Sequence, residues 1–128
     1  VVRSLALFMK RTIFGVIDTE LMMTEVVRDR YGHELYLTDE RWEHIVNRHP
    51  TMMGYRDHML ATIRTGRRRQ DPLDASKFKY YAPFADLGPD YSHIVVVVKF
   101  SEREITEGGT RYNNFVLTAY QVFIYGQR

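Results

Sequence analysis

The sequence contains no cysteine, and this absence removes several classes of protein at once. A chain without thiols has neither a disulfide framework nor a thiolate metal site. It also lacks a run of ~20 apolar residues that could cross a bilayer, because the apolar stretch from Leu5 to Met9 ends at Lys10 and Arg11. We therefore expect a soluble, cytoplasmic protein with no membrane partner.

Motifs for metal-dependent, phosphate-loop and serine chemistry are missing as well. His44 and His49 are five residues apart, which is not the i, i+4 spacing of two metal ligands on one helix. Gly108 and Gly109 fall in a predicted hairpin loop rather than between a strand and a helix, so they do not make a phosphate-binding loop. No serine stands in a nucleophile-elbow pattern. We therefore expect no metal and no cofactor.

The composition is that of one globular domain. Hydrophobic residues make up 45% and charged residues 27% of the 128 positions, which is enough for a single core. Residues 1–23 follow neither a helical nor a strand period, so we predict an N-terminal extension outside the core and one domain over 24–128. Two alternatives are an arm that docks on a partner and sequence upstream of the true start, because the pattern becomes regular at Met22 and Met23.

Five segments are predicted to form β-strands. The first two, 24–28 and 34–37, flank Gly32, which suits the positive φ of a tight turn, and they predict a hairpin. The other three segments are 77–84, 93–100 and 114–123. The middle one, HIVVVVKF, is apolar on both faces, which indicates a central strand that is buried on each side.

Two helices are predicted between the hairpin and the later strands. Thr38 occupies the N-cap position of the first helix, and Pro50 ends this helix by forcing His49 out of the helical conformation. The second helix covers 55–65 and stops at Gly66. The predicted fold class is α+β, with an N-terminal β-hairpin and two helices packed on an antiparallel sheet of about four strands.

Positive charge is concentrated in one part of the chain, although the formal net charge is only +2. The segment 55–79 contains seven Lys or Arg and three Asp, a local net charge of +4. Its cationic residues are Arg56, Arg64, Arg67, Arg68, Arg69, Lys77 and Lys79. A local basic field attracts polyanions, whereas the alternative and commoner meaning of such a run is a solvated helix end.

The chain does contain residue types suited to metal-free cleavage of a phosphodiester. RNA supplies its own nucleophile, the 2′-hydroxyl, so an enzyme needs a base, an acid and cations for the charge that develops on the phosphate. His49 can transfer protons near neutral pH, and Arg48 and Arg56 would surround it with positive charge. The alternative for His49 is a residue that caps the core, with its ring nitrogens bonded to backbone.

Strand alternation selects further candidates. Lys79 and Tyr81 share one face of their strand, and Thr118 and Tyr120 share one face of the last strand. Lys99 ends a run of four valines. Because an unpaired buried ammonium is costly, this lysine either reaches solvent at the rim of the sheet or points into a polar cleft.

One group of segments has a recognisable layout: LTDERWEHI at 37–45, Arg48-His49-Pro50, and the strand segments at 80–81, 95–99 and 116–120. These segments resemble small toxin-like domains encoded by phages and bacteria, in the barnase, EndoU, colicin and RelE-like (BECR) ribonuclease superfamily. The likeness covers about 34–123. It implies one or two helices on a four-stranded antiparallel sheet, metal-independent RNA cleavage and often a neutralising partner protein. It also implies that Arg48-His49 is the family's histidine after the first helix, and that Lys99, Thr118 and Tyr120 are its late-strand basic and hydroxyl positions.

The resulting hypothesis is a toxin-type RNA endonuclease whose partners are RNA and a cognate antitoxin or immunity protein. His49 is its candidate general acid or base. The residues assigned to phosphate charge and positioning are Arg48, Arg56, Lys99, Thr118 and Tyr120. The residues assigned to RNA binding are Arg56, Arg67, Arg68, Arg69, Lys79 and Tyr81. The alternatives are a non-catalytic nucleic-acid-binding module and a protein-interaction domain with a tyrosine-rich surface.

Overall fold

The computed structural model describes residues 24–104 and 110–126. Its helices and strands are β1 (Thr24–Arg28), β2 (Glu34–Thr38), α1 (Asp39–Arg48), a 3-10 turn (Pro50–Met52), α2 (Arg56–Thr65), β3 (Arg67–Gln70), β4 (Lys77–Pro83), β5 (His93–Lys99), β6 (Glu102–Glu104), β7 (Thr110–Tyr112) and β8 (Phe115–Val122). The predicted extension over 1–23 lies outside the described residues. Among the helices that are described, none has the length and apolar character needed to cross a membrane.

Six strands form one sheet in the order β1-β2-β8-β5-β4-β3, and β6 and β7 form a separate small hairpin. All neighbours in the large sheet are antiparallel except β2 and β8, which are parallel. The α+β class is therefore confirmed. The predicted antiparallel sheet of about four strands is inexact, because β3 adds an edge strand and β8 joins the N-terminal hairpin to the meander in one mixed sheet of six strands.

Asn114 holds β8 beside the hairpin. Its carbonyl accepts a hydrogen bond from the Tyr36 N–H at 2.8 Å, and its side-chain amide donates to the Glu34 carbonyl at 3.1 Å. The two strands share only one register pair, Tyr36 with Phe115. Such a long-range contact has no local sequence signal, which explains why sequence patterns missed the parallel pair.

The local signals for the hairpin and the first helix are confirmed. Gly32 has a φ of +91° in the turn between β1 and β2. The Thr38 hydroxyl accepts a hydrogen bond from the Arg41 N–H at 3.0 Å and so caps α1. The helix ends at Arg48, and His49 before Pro50 has a φ of −132°. The residue types at these positions therefore set the bounds of α1.

Both helices pack on the same face of the sheet. Ile45 of α1 and Ile63 of α2 are fully buried in one apolar core with Ile94, Val96 and Val98 of β5. The opposite face of the sheet, which we call the open face, carries the alternate residues of each strand. No described helix covers the open face. The sequence predicted that β5 is buried on both faces. Its residues on the helix side are all buried, whereas Val97 on the open face is only half-buried.

Gly66 alone connects α2 to β3, and it is buried against two backbone carbonyls. Its N–H donates to the Thr62 carbonyl at 2.8 Å, which closes the last turn of α2. A Cβ on Gly66 would collide with that same carbonyl oxygen and would lie 2.7 Å from the Tyr81 carbonyl oxygen. Glycine is therefore required at position 66 because no Cβ fits there. The backbone conformation does not require it, since a φ of −75° is accessible to any residue.

We predict that Gly66→Ala lowers the free energy of unfolding by about 2 kcal/mol, since neither backbone carbonyl can move away without shifting α2 or β4. Gly88→Ala is the matched control, because a Cβ there meets only the Tyr91 ring at 3.5 Å. Its expected effect is within about 0.5 kcal/mol. Urea denaturation of both variants measures the difference, and equal stabilities would contradict the required contact at Gly66.

Candidate functional site

The three consecutive arginines of β3 are divided between the two faces of the sheet. Arg67 pairs with Tyr81, Arg68 pairs with Tyr80, and Arg69 pairs with Lys79. Tyr80 is fully buried in the core on the helix side. Since side chains alternate along a strand, Arg68 points to the helix side, while Arg67 and Arg69 belong to the open face.

Arg68 is part of a buried polar network centred on Asp29. The Asp29 side chain is fully buried and accepts hydrogen bonds from the backbone N–H groups of Tyr31 at 2.9 Å and His33 at 2.8 Å. The Tyr80 hydroxyl donates to the same carboxylate, and an Arg68 nitrogen lies 3.3 Å from it. Burial, together with the Asp29 carboxylate, raises the pKa of Tyr80. Arg68, assigned to RNA binding from the sequence, is therefore held in a structural network on the other side of the sheet.

The open face contains a shallow cleft of about 280 Å³ between β3, β4, β5 and β8. Val95 forms its floor, because it stands between Tyr81 and Tyr120 in register on the neighbouring strands. The side chain of Val95 is smaller than the tyrosine side chains on either side of it, and this difference in size produces the depression. The lining residues are Arg69, Lys79, Tyr81, Val95, Tyr120, Val122 and Ile124.

The cations beside this cleft are not neutralised within the part of the chain that the structure describes. Arg67, Arg69 and Lys79 are exposed. None of the three makes an ion pair with a described residue. Thr118 lies on the same face, opposite Val97, whose other neighbour is Lys79. The cleft therefore combines free positive charge with hydroxyl groups and aromatic rings.

His49 lies at the border of the cleft. Its ring centroid is 5.5 Å from that of Tyr120. The side chain is half-buried, and its ring nitrogens form no hydrogen bond with any described residue. The alternative of a core-capping histidine bonded to backbone therefore lacks its expected contacts. Arg48 is exposed beside His49 at the end of α1.

Lys99 is on the open face, but its charge is already compensated. Its ammonium nitrogen is 3.1 Å from the Asp74 carboxylate. Hydrogen bonds from Ser76, followed by the Lys99 contact, lower the pKa of Asp74 from 3.8 to about 2. Lys99 is two residues from Val97, or ~7 Å along the strand, and it does not line the cleft. The sequence allowed Lys99 either to reach the rim of the sheet or to point into a polar cleft, and the structure places it at the rim.

Arg56 is not brought to the open face. Its guanidinium lies 3.1 Å from Glu25 and 3.0 Å from Asp39, so it connects the start of α2 to β1 and α1. It also lies over the Trp42 ring, 5.9 Å from the centroid. These contacts place Arg56 in the packing of the helices, away from the cleft.

Sequence patterns missed Val122 at the apolar end of the cleft and the contacts of His58 and His93. Val122 lines the cleft, and alternation beyond Tyr120 could have indicated it. His58 lies 2.8 Å from Asp86, and this contact lowers the pKa of Asp86. His93 is buried at the start of β5. Among the described residues no group of three His, Cys, Asp or Glu could hold a metal ion.

Comparison with known proteins identifies no relative. No family model, curated protein or solved structure matches the chain.

We predict opposite roles for two adjacent arginines. Arg68→Leu should lower the free energy of unfolding by about 3 kcal/mol, because it leaves the buried Asp29 carboxylate without its cation. Arg67→Leu should change stability by no more than about 0.5 kcal/mol, since Arg67 is exposed and unpaired in the described structure. Urea denaturation provides the comparison, and similar losses in both variants would contradict the assigned faces of β3.

The lowered pKa of Asp74 predicts a specific response to acid. A carboxyl group with a pKa lower in the folded state stabilises that state above its unfolded pKa. This contribution should therefore disappear as the pH falls from about 4 to about 2. In a carboxyl NMR titration of the folded protein, Asp74 should remain ionised at pH 3, and Ser76→Ala should raise its pKa. A titration midpoint near 3.8 in the wild type would contradict these contacts.

Proposed function

We propose that this protein is a metal-independent RNA endonuclease of toxin type. The observation that carries the proposal is the composition of the open face. There Arg69 and Lys79, which form no ion pair with a described residue, adjoin one cleft together with two tyrosines and an imidazole that bonds to no described residue. Cations without carboxylate partners favour a polyanionic ligand. An imidazole at the border adds a group that transfers protons near neutral pH.

Single-stranded RNA is the substrate that suits this face best. Proteins that bind single strands combine a positively charged groove with aromatic rings on which bases stack. Arg69 and Lys79 would contact the phosphates, and Tyr81 and Tyr120 would contact the bases. Arg67, next to Tyr81 on the edge strand, extends the basic surface. Arg56 and Arg68, whose guanidinium groups are engaged with carboxylates on the helix side, have no part in this proposal.

The proposed reaction is transfer of the phosphodiester to the neighbouring 2′-hydroxyl. The 2′-oxygen forms a bond to phosphorus while the bond to the 5′-oxygen breaks, which gives a 2′,3′-cyclic phosphate and a free 5′-hydroxyl. His49 would remove the 2′ proton or protonate the leaving 5′-oxygen, and water would carry out the other of these two proton transfers. Lys79 and Arg69 would stabilise the negative charge on the phosphate oxygens. Thr118 and Tyr120 would position the phosphate through their hydroxyl groups.

Arg48 and Lys99 have supporting roles in this proposal. Arg48 is exposed next to His49 and would add positive charge at the border of the cleft. Lys99 would contact RNA only after it exchanged Asp74 for a phosphate. A cognate antitoxin or immunity protein is part of the proposal, because an active ribonuclease endangers the cell that makes it.

Two other functions are favoured by particular observations. The cations of the cleft would bind nucleic acid without any proton transfer, as a non-catalytic module requires. Phe123 and Tyr125 are 62% and 89% exposed just beyond the cleft, and such aromatic residues are frequent in protein-protein interfaces. The first alternative predicts RNA binding without cleavage, and the second predicts neither.

We predict that the purified protein cleaves single-stranded RNA at low salt in the presence of EDTA. His49→Gln should reduce the cleavage rate by roughly 10²- to 10⁴-fold, the usual contribution of a general acid or base. Its affinity for uncleavable 2′-O-methyl RNA should stay within about twofold of wild type, since phosphate contacts supply most of the affinity. Gel analysis of the products should show 2′,3′-cyclic phosphate ends.

His44→Gln is the matched control, because His44 is exposed on α1 and does not line the cleft. It should cleave at the wild-type rate. Intact RNA in every wild-type reaction, or an undiminished rate in His49→Gln, would refute the catalytic proposal. RNA binding that persists in His49→Gln but is lost in Arg69→Gln with Lys79→Gln, without cleavage by the wild type, would support the binding module instead.

A further inference from the structure

A second cavity of about 230 Å³ opens where β3 begins, beside the residues of β4 that β3 does not pair. The first residue of β3, Arg67, pairs with Tyr81, and Gly66 before it connects to the end of α2. Tyr81, Phe84 and His93 contribute to the walls of this cavity, and Arg30 and Arg67 also line it. The cavity therefore has aromatic walls and two arginines.

His93 is a buried side chain with one free ring nitrogen. His93 is only 3% exposed. The Nδ1 atom lies 2.7 Å from the Ser92 hydroxyl oxygen, which also accepts a hydrogen bond from the Ile124 N–H at 2.8 Å. These contacts fix the ring. Its Nε2 atom has no hydrogen-bond partner among the described residues.

Burial lowers the pKa of His93 and so favours the neutral imidazole. A neutral imidazole offers one hydrogen-bond donor and one acceptor, and one of its two nitrogens is already used by Ser92. Although the residue as a whole is buried, Nε2 is not an enclosed atom, and His93 lines the cavity. This nitrogen is therefore available to a ligand group in the cavity, which makes His93 a recognition group rather than a charge.

The two arginines supply the charge that the histidine lacks. Arg67 has no ion pair with any described residue. Arg30 donates one hydrogen bond to the Thr65 carbonyl at 3.3 Å, and its other donors remain free in the described structure. A guanidinium group matches the geometry of a phosphate, because it presents several donors in one plane.

Tyr81 lines both this cavity and the cleft on the open face. A strand of RNA whose base contacts Tyr81 in the cleft can therefore continue directly into the cavity. On the basis of the function proposed above, we propose that the cavity is a subsite for the next nucleotide of the same RNA. Arg67 would hold the phosphate between the two nucleotides, and His93 Nε2 would hydrogen-bond to the edge of the base.

This subsite would select the base as well as bind it. Single-stranded bases are distinguished by hydrogen bonds to their edges, while stacking on aromatic rings tolerates every base. His93 is therefore expected to determine a base preference, and Arg67 is expected to strengthen the binding of all sequences equally. These two signatures can be separated with RNAs that differ at one position.

The test uses fluorescein-labelled 2′-O-methyl RNA hexamers that cannot be cleaved, with all four bases varied at each position, in anisotropy titrations. Arg67→Gln should weaken binding of every hexamer by a similar factor and reduce the slope of log affinity against log salt by about 0.7. Arg64→Gln is the matched control, because it removes the same charge from an exposed position of α2 that does not line the cavity. It should leave the slope unchanged.

His93→Gln should remove the base preference at one position, by roughly three- to tenfold, as expected for the loss of one hydrogen bond. His44→Gln should retain this preference. Thermal unfolding verifies that His93→Gln is folded. If it is not, Phe84→Leu provides the test, and it should weaken binding of every base at the same position through lost stacking.

The outcomes separate this inference from the function on which it rests. If the wild type binds RNA but Arg67→Gln matches Arg64→Gln and His93→Gln keeps the wild-type preference, the subsite is refuted and the cleft remains. If Arg67→Gln behaves as expected and His93→Gln does not, the cavity binds phosphate alone and the proposed base contact is wrong. If the wild type binds no RNA, both proposals are refuted.

Discussion

The buried ion pair between Arg68 and Asp29 is the constraint on which the proposed site depends. A buried charge is tolerated only with a partner, so the pair ties β3 to the hairpin turn and fixes which face Arg68 occupies. Strand alternation then sends Arg67 and Arg69 to the open face. The same pair therefore explains why one arginine in a run of three is structural, while the other two form no ion pair with a described residue. Gly66 completes the arrangement, because it brings the end of α2 directly against β4.

Local residue types predicted those parts of the fold that form between near neighbours. The turn at Gly32 depends on the access of glycine to positive φ, the cap at Thr38 on a side-chain hydrogen bond, and the stop at Gly66 on the lack of a Cβ. The structure confirms all three. The edge strand β3 was missed because three arginines carry no strand pattern; Tyr80 and its neighbours on β4 provide the pairing. The parallel contact of β2 with β8 was missed because it joins Tyr36 to Phe115, far apart in the chain.

The site was predictable to the extent that it follows from strand alternation. Alternation grouped Lys79 with Tyr81 on one strand and Thr118 with Tyr120 on another, and the structure brings Lys79, Tyr81 and Tyr120 together in one cleft. The neutralisation of two proposed cations was not predictable, because their carboxylates are distant in sequence. Lys99 pairs with a residue 25 positions away, and Arg56 pairs with residues 17 and 31 positions away. Whether a basic residue is free to bind a ligand is thus a property of the folded chain.

The central claim is that the open face of the sheet binds RNA. Mapping amide chemical-shift changes in ¹H–¹⁵N spectra during titration with an uncleavable 2′-O-methyl RNA tests it most directly. The account predicts that the largest changes fall in β3, β4 and the second half of β8, with smaller changes at His49, and that they decrease as salt is added. Changes confined to the outer surfaces of α1 and α2, or no changes at low salt, would contradict it.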